Sequence, residues 1–151
     1  MIAERLKQIC ILSNDYSSSR AIKSSDPKGM EIVSLLRKTG AEIFELFTEE
    51  AKDGFRVGVS KGKSNIPKIF WIAFYPLGYG PSRGTTVTIC FGRVGEGIVA
   101  GMMESASSPQ GLKERITRSN ESMLVNIDGP KPDVKYNNKY FNPVAYLIDD
   151  V

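Results

Sequence analysis

The chain has 151 residues, of which 41% are hydrophobic and 25% charged, and its formal net charge is +3. These values fit one globular domain that is large enough to bury a core. No apolar run reaches the roughly 20 residues of a membrane helix, and the charged N-terminal segment does not read as a signal peptide, so we expect a cytoplasmic protein without membrane contacts. Cys10 and Cys90 lie in apolar contexts without CxxC spacing, which predicts two buried free thiols.

The first third of the chain, about residues 1–52, reads as helical. Apolar residues recur at helical spacing over residues 2–12, which predicts a first helix. Residues 13–28 are rich in serine and end in Asp-Pro, a composition typical of an exposed loop. A second helical pattern covers 29–47, and Thr39-Gly40 is the point where it would break into two helices.

From about residue 55 to residue 148 the period changes to that of a sheet. Alternating or continuous apolar runs predict strands at 55–59, 69–75, 85–91, 98–103 and 141–148. We expect a short helix at 109–120 and loops at 78–84 and 128–138. The predicted fold is therefore α/β in the broad sense (α+β): N-terminal helices packed on a curved, mainly antiparallel sheet, in one domain over residues 1–151 that is a fragment of a longer chain.

The positive charge is concentrated in one stretch. Residues 1–52 carry eight basic and eight acidic side chains, whereas residues 55–93 carry six basic and no acidic ones. The same stretch contains Trp71, the only tryptophan, with Phe70, Phe74, Tyr75 and Tyr79 close in sequence. Acid-free basic sequence interleaved with aromatics is typical of a surface that binds nucleic acid. An ordinary β-rich core with a solvated rim has the same composition, so both interpretations stay open.

Motifs for catalysis are incomplete. Residues 58–62 match the GxSxG nucleophile elbow, but the chain contains no histidine to accept the serine proton. Gly62-Lys63-Ser64 matches only the end of a phosphate-binding loop, because the first glycine is misplaced and a strand follows. Cysteine and histidine clusters for zinc are missing, and the acidic pairs diverge. We therefore expect a protein without catalysis, cofactor or metal.

Trp71 separates two interpretations. A tryptophan in an apolar strand is commonly part of the core. Alternatively, its indole forms the wall of a pocket that stacks on an extruded nucleobase, together with small neighbours and hydrogen-bonding partners for the base edge. The further candidates for this pocket are Ala73, Cys90, Ser64, Asn65 and Tyr79. The candidates for contacts to phosphates are Lys61, Lys63, Lys68, Arg83 and Arg93.

Three successive segments carry a family resemblance: GKSNIPKIFWIAF at 62–74, GTTVTICF at 84–91 and GIVAGMM at 97–103. Their order resembles the McrB-like N-terminal DNA-recognition domains of modification-dependent restriction systems, and the resemblance covers about residues 55–104. Trp71 matches the pocket tryptophan of that family, and Cys90 stands on the strand that supplies an apolar pocket residue. Two features depart from the family: Lys68, Ile69 and Phe70 intervene before the tryptophan, and the turn at 61–65 lacks the stacking tyrosine.

The resemblance implies a non-catalytic DNA-binding domain that flips a modified base, methylated cytosine first, into an aromatic pocket. The motor domain that hydrolyses nucleotide and the nuclease are then expected in other domains or subunits. Two alternatives stay open. One is a reader of methyladenine or modified RNA of the PUA, EVE or YTH type, and the other is a protein–protein adaptor whose aromatics are core.

Overall fold

The computed structural model describes residues 1–80, 84–104, 124–129 and 140–151. The helices are α1 (Ile2–Ser17), α2 (Pro27–Phe44) and α3 (Glu49–Gly54). The strands are β1 (Phe55–Val59), β2 (Trp71–Pro76), β3 (Thr85–Phe91), β4 (Gly97–Glu104) and β5 (Tyr140–Leu147), and a 3₁₀ turn follows at Ile148–Asp150. All five strands pair antiparallel in the order β1-β2-β3-β4-β5. The predicted α+β fold, with N-terminal helices packed on an antiparallel sheet, is confirmed.

The five strands lie close to their predicted positions. β1 and β3 match residues 55–59 and 85–91 at both ends. β2 begins at Trp71 rather than at residue 69. Ile69 and Phe70 are buried in the approach to the strand, where the Phe70 carbonyl accepts from the Phe91 N–H at 2.9 Å. The predicted helix at 109–120 lies outside the described residues, as do parts of the loops at 78–84 and 128–138.

The predicted loop at 13–28 begins too early. α1 continues to Ser17, because two polar side chains of its last turns have buried partners in the connections between strands. The Ser13 hydroxyl donates to the Gly92 carbonyl at 2.9 Å, and the Tyr16 hydroxyl donates to the Ile66 carbonyl at 2.5 Å. Serine-rich sequence therefore forms helix here, since tertiary hydrogen bonds outweigh the weak local preference.

The predicted break at Thr39-Gly40 is wrong, since α2 passes through both residues and ends at Phe44. The Thr39 hydroxyl bonds within the helix, donating to the Leu35 carbonyl at 2.8 Å. A Cβ on Gly40 would lie 2.9 Å from Val57 Cγ1 and 3.0 Å from Ile72 Cγ2. The glycine is therefore where α2 approaches the sheet most closely, rather than where the helix ends.

The sheet is covered on both faces. Ile72 and Phe74 of β2 point to α1 and α2 and belong to the larger hydrophobic cluster. Cys90 and Val99 belong to a second cluster, which also contains Ile127. Since residues alternate between the faces of a strand, Trp71, Ala73 and Tyr75 lie on the face opposite the helices.

Both cysteines are buried and form no disulfide with each other, as predicted. Burial, with a smaller contribution from Glu96, raises the pKa of Cys10 to about 12.

Over the described ranges, no helix combines the length and the apolar character that a membrane crossing requires.

Tyr16 fixes the connection between β1 and β2 to α1. Besides donating to Ile66, its hydroxyl accepts from the Ile22 N–H at 3.2 Å, and its ring stacks on Phe70 with 5.9 Å between centroids. The Lys68 ammonium lies 3.8 Å from the centroid of the same ring. One buried side chain thus holds the segment that precedes Trp71.

We expect Tyr16→Phe to lower the free energy of unfolding by about 1–3 kcal/mol, because the buried Ile66 carbonyl loses its donor. Urea unfolding followed by circular dichroism measures the change. The matched control is Tyr146→Phe on β5, where the side chain is exposed and the change should stay within about 0.5 kcal/mol. Equal effects of the two substitutions would contradict the assigned role of Tyr16.

Candidate functional site

A cavity of about 430 Å³ lies along β1, the strand at one edge of the sheet. Helix α2 borders it on one side and aromatic side chains of β2 on the other. Its lining residues are Arg37, Ala41, Val57, Gly58, Val59, Lys61, Trp71 and Tyr75. We call it the edge cavity.

Two aromatic rings enter the edge cavity from one face of β2. Trp71 and Tyr75 are four residues apart on this face, so their Cα atoms are about 13 Å apart. Between them stands Ala73, which pairs with Gly58 of β1. A Cβ on Gly58 would lie 2.8 Å from Tyr75 Cε1, so the tyrosine ring lies across this glycine. Small residues thus separate two partly exposed aromatic side chains.

The outer edge of β1 offers backbone hydrogen-bonding groups to the same cavity. In an antiparallel pair, residues alternate between those that bond to the partner strand and those whose N–H and C=O point away. The Ser60 N–H donates to the Trp71 carbonyl at 3.0 Å, which places the even-numbered residues of β1 in the bonded set. The N–H and C=O groups of Val57 and Val59 therefore point outward, and no other strand of the described chain pairs with this edge.

A second cavity, of about 650 Å³, lies beside the first along α2. Its lining residues are Ser24, Met30, Val33, Ser34, Arg37, Lys38 and Lys61. Arg37 and Lys61 line both cavities, so the two are adjacent, and we call them together the depression. We call this second part the helix groove.

The depression is positively charged. Arg37, Lys38 and Lys61 line it, and none of the lining residues is acidic. Across the described ranges, none of these three cations has a carboxylate within 4.0 Å. Three basic side chains outside it do have such partners: Arg5 pairs with Glu42, Lys28 with Glu31, and Lys52 with Glu45 and Glu49. The hydrogen bond from Arg5 lowers the pKa of Glu42, which keeps that carboxylate paired one turn beyond Lys38.

A tight turn holds Lys61 at the junction of the two cavities. Gly62 has a φ of +66°, and a Cβ there would meet the Asn65 carbonyl oxygen. The turn is bonded to the segment before α2: the Ser24 N–H donates to the Ser64 carbonyl at 2.8 Å, and the Ser24 hydroxyl donates to the Lys61 carbonyl at 2.7 Å. The position of Lys61 is therefore set by backbone geometry.

The structure brings together only part of the predicted pocket. Trp71 is half-buried and lines the edge cavity. Ala73 and Cys90 lie on the same face of the sheet as Trp71, but they are 2% and 0% exposed and neither lines the cavity. Ser64 and Asn65 are exposed on the turn after Lys61, and Asn65 forms a β-bridge with Lys23.

Tyr79 lies apart from both cavities. It is exposed in the turn after β2, which begins at Trp71 and ends at Pro76. Its N–H donates to the Pro76 carbonyl at 3.1 Å.

The predicted phosphate contacts are also divided. Lys61 lines both cavities, and Lys63 is exposed two residues later on the same turn. Lys68 instead donates to the carbonyls of Tyr16 and Ser19 at the end of α1, and its ammonium is occupied there. The Arg93 side chain packs against Gly129, away from β1. Arg83 lies outside the described residues.

Sequence reasoning missed the contribution of α2. Arg37 and Lys38 enter the depression, but the balanced charge count of residues 1–52 concealed them. A signal was present: Met30, Ser34, Arg37, Lys38 and Ala41 recur at helical spacing without an acid. Tyr75, noted above only because it lies close to Trp71 in the sequence, also lines the edge cavity.

The chain matches no protein-family model, no curated protein and no solved structure. The resemblance to the McrB-like DNA-recognition domains therefore stays a prediction from the residues of the three segments.

We expect Gly62→Ala to destabilise the turn that holds Lys61, because a side chain at φ +66° is strained and its Cβ would meet a backbone oxygen. The free energy of unfolding should fall by about 1–3 kcal/mol. The amides of Ser24, bonded to the Ser64 carbonyl, and of Ile66, bonded to the Ile22 carbonyl at 2.8 Å, should exchange hydrogen faster. Gly54→Ala is the control, since a Cβ there meets nothing within 4 Å. Unchanged exchange at Ser24 and Ile66 in Gly62→Ala would contradict the anchoring role of the turn.

Proposed function

We propose that this domain binds DNA and recognises a modified base, with methylated cytosine as the first candidate, by accepting the flipped base into the edge cavity. The observation that carries the proposal is the half-buried Trp71 in the wall of a 430 Å³ cavity that also contains Tyr75, Arg37 and Lys61. An aromatic face beside cationic side chains is the combination that unpaired bases and their phosphates require.

The energetics favour such a site. Extruding a base from a duplex costs a few kcal/mol. Stacking on an aromatic side chain returns about 1–3 kcal/mol per base. Lysine and arginine contacts to phosphates supply most of the remaining, sequence-independent affinity. The edge cavity combines both kinds of contact, because Arg37 and Lys61 stand at its junction with the helix groove.

Backbone groups of β1 supply the polar contacts to the base edge in this proposal. The outward N–H and C=O groups of Val57 and Val59 present donors and acceptors at fixed positions on a sheet edge. Such groups cannot rotate away, so they discriminate between bases whose donor and acceptor patterns differ. They also replace the side-chain roles that Ser64 and Asn65 were expected to have.

In this proposal the domain binds without catalysis, in the cytoplasm, as the specificity module of a restriction system. Nucleotide hydrolysis and DNA cleavage then belong to other domains or subunits. A PUA, EVE or YTH-type reader of methyladenine or modified RNA would use the same aromatic cavity. Binding measurements on DNA and RNA with different modified bases distinguish these readers.

A second candidate function rests on the open edge of β1. An extended peptide could add to this edge as a further strand, using the same outward backbone groups. This is the adaptor alternative, and it requires no nucleic acid. It predicts that binding of DNA or RNA is absent or does not depend on salt.

The first test compares matched duplexes that carry methylcytosine, methyladenine or no modification, with RNA of the same sequence. Because Trp71 is the only tryptophan, quenching of intrinsic fluorescence reports binding at the edge cavity itself. We expect quenching by the duplex with methylcytosine and a weaker, strongly salt-dependent response to the unmodified duplex. Salt-independent or absent binding would support the adaptor alternative instead.

Trp71→Ala should abolish most of the discrimination between modified and unmodified duplex, a loss of about 5- to 150-fold if stacking contributes 1–3 kcal/mol. Fluorescence anisotropy of labelled duplexes measures this loss. Trp71→Phe retains a ring for packing and should keep part of the discrimination. Tyr79→Ala is the matched control, since this exposed aromatic lies away from the edge cavity.

Two results would count against the proposal. One is discrimination that survives in folded Trp71→Ala. The other is discrimination lost equally in Tyr79→Ala, because that residue lies at the far end of β2. Circular dichroism of each variant establishes that the comparison is made between folded proteins.

A further inference from the structure

The helix groove has a distinct character from the edge cavity. Its lining contains no aromatic residue, and it includes Ser34, Arg37 and Lys38 from one exposed face of α2. The α2 residues that line it, 30–38, span about 12 Å along the helix axis. One strand of a duplex advances 3.4 Å per nucleotide along the axis, so the groove has the length of a few successive nucleotides.

The chemistry of the groove fits phosphates better than bases. Arg37, Lys38 and Lys61 supply three positive charges, and the Ser34 hydroxyl supplies a neutral donor. The hydroxyl of Ser24, in contrast, is bonded to the Lys61 carbonyl and fixes that lysine in place. Without an aromatic lining residue, the groove offers no platform on which a base could stack.

Arg37 and Lys61 place the helix groove next to the edge cavity. Because these two residues line both cavities, the backbone of a nucleotide whose base lies beside Trp71 has the helix groove as its neighbouring surface. We propose that the helix groove binds the sugar-phosphate backbone on one side of the flipped nucleotide, so that α2 is the element that tracks the strand. This inference rests on the proposed function, because it takes the edge cavity as the base site.

It follows that α2 contributes affinity that is independent of the modified base. A negative charge placed in the groove should weaken binding to modified and unmodified duplexes by the same factor. A change at Trp71, in contrast, should alter the ratio between the two duplexes. The two parts of the depression can therefore be tested separately.

The central experiment compares Ser34→Glu with Ser34→Gln, which have nearly the same size and differ in charge. Ser34 is exposed on α2, so neither substitution disturbs the core. Using anisotropy at fixed salt, we expect Ser34→Glu to weaken both duplexes about tenfold or more, because a like charge would face phosphates. Ser34→Gln keeps a neutral hydrogen-bond donor at this position, so it should weaken both duplexes far less than Ser34→Glu does, and the ratio between duplexes should not change in either variant.

The salt dependence gives a second readout. For Lys38→Ala, the slope of log K against log salt concentration should become shallower by about 0.9 for a duplex, corresponding to one phosphate contact. Lys28→Ala is the control on the same helix, since Lys28 pairs with Glu31 at 3.2 Å and lines neither cavity. Its slope should equal that of the unsubstituted protein.

The possible failures are distinguishable. If Ser34→Glu and Lys38→Ala bind unmodified DNA as tightly and with the same slope as the unsubstituted protein, the helix groove is not a phosphate site. If the unsubstituted protein binds both duplexes equally, the proposed base recognition is wrong. If it binds neither duplex, both proposals are overturned.

Discussion

The close approach of α2 to the edge of the sheet is the constraint on which the candidate site depends. At Gly40 the helix has no side chain, and Val57 and Ile72 occupy the space that a Cβ would need. This contact places the next exposed residues of α2, Arg37 and Ala41, beside the outer edge of β1. A larger residue at 40 would separate helix and strand and change the shape of the edge cavity.

The charge of the depression results from which residues line it. Arg5, Lys28 and Lys52 have carboxylate partners elsewhere on the surface, and such surface pairs contribute little to stability. In the depression, by contrast, Arg37, Lys38 and Lys61 are lining residues and no lining residue is acidic. A protein with a net charge of only +3 can thus present a cationic groove.

Trp71 has features of both a core residue and a pocket residue, the two interpretations that its sequence context left open. It packs against the second hydrophobic cluster and also lines the edge cavity, so it is neither a fully buried core residue nor a free surface ring. A ring held by packing on one side loses little conformational entropy when a ligand stacks on its exposed part. That arrangement supports the proposed role without requiring the side chain to move.

Local patterns alone determined the fold class, the positions of all five strands and the burial of both cysteines, because alternation and apolar runs are properties of neighbouring residues. They also gave Trp71 and Lys61 as candidates, and both residues line the edge cavity. Three features were decided only by the tertiary structure. α2 continues through Thr39-Gly40, Lys68 donates to carbonyls at the end of α1, and Arg37 and Lys38 line the depression beside β1. Each of these depends on contacts between residues distant in the sequence, and neither residue spacing nor charge counts contain that information.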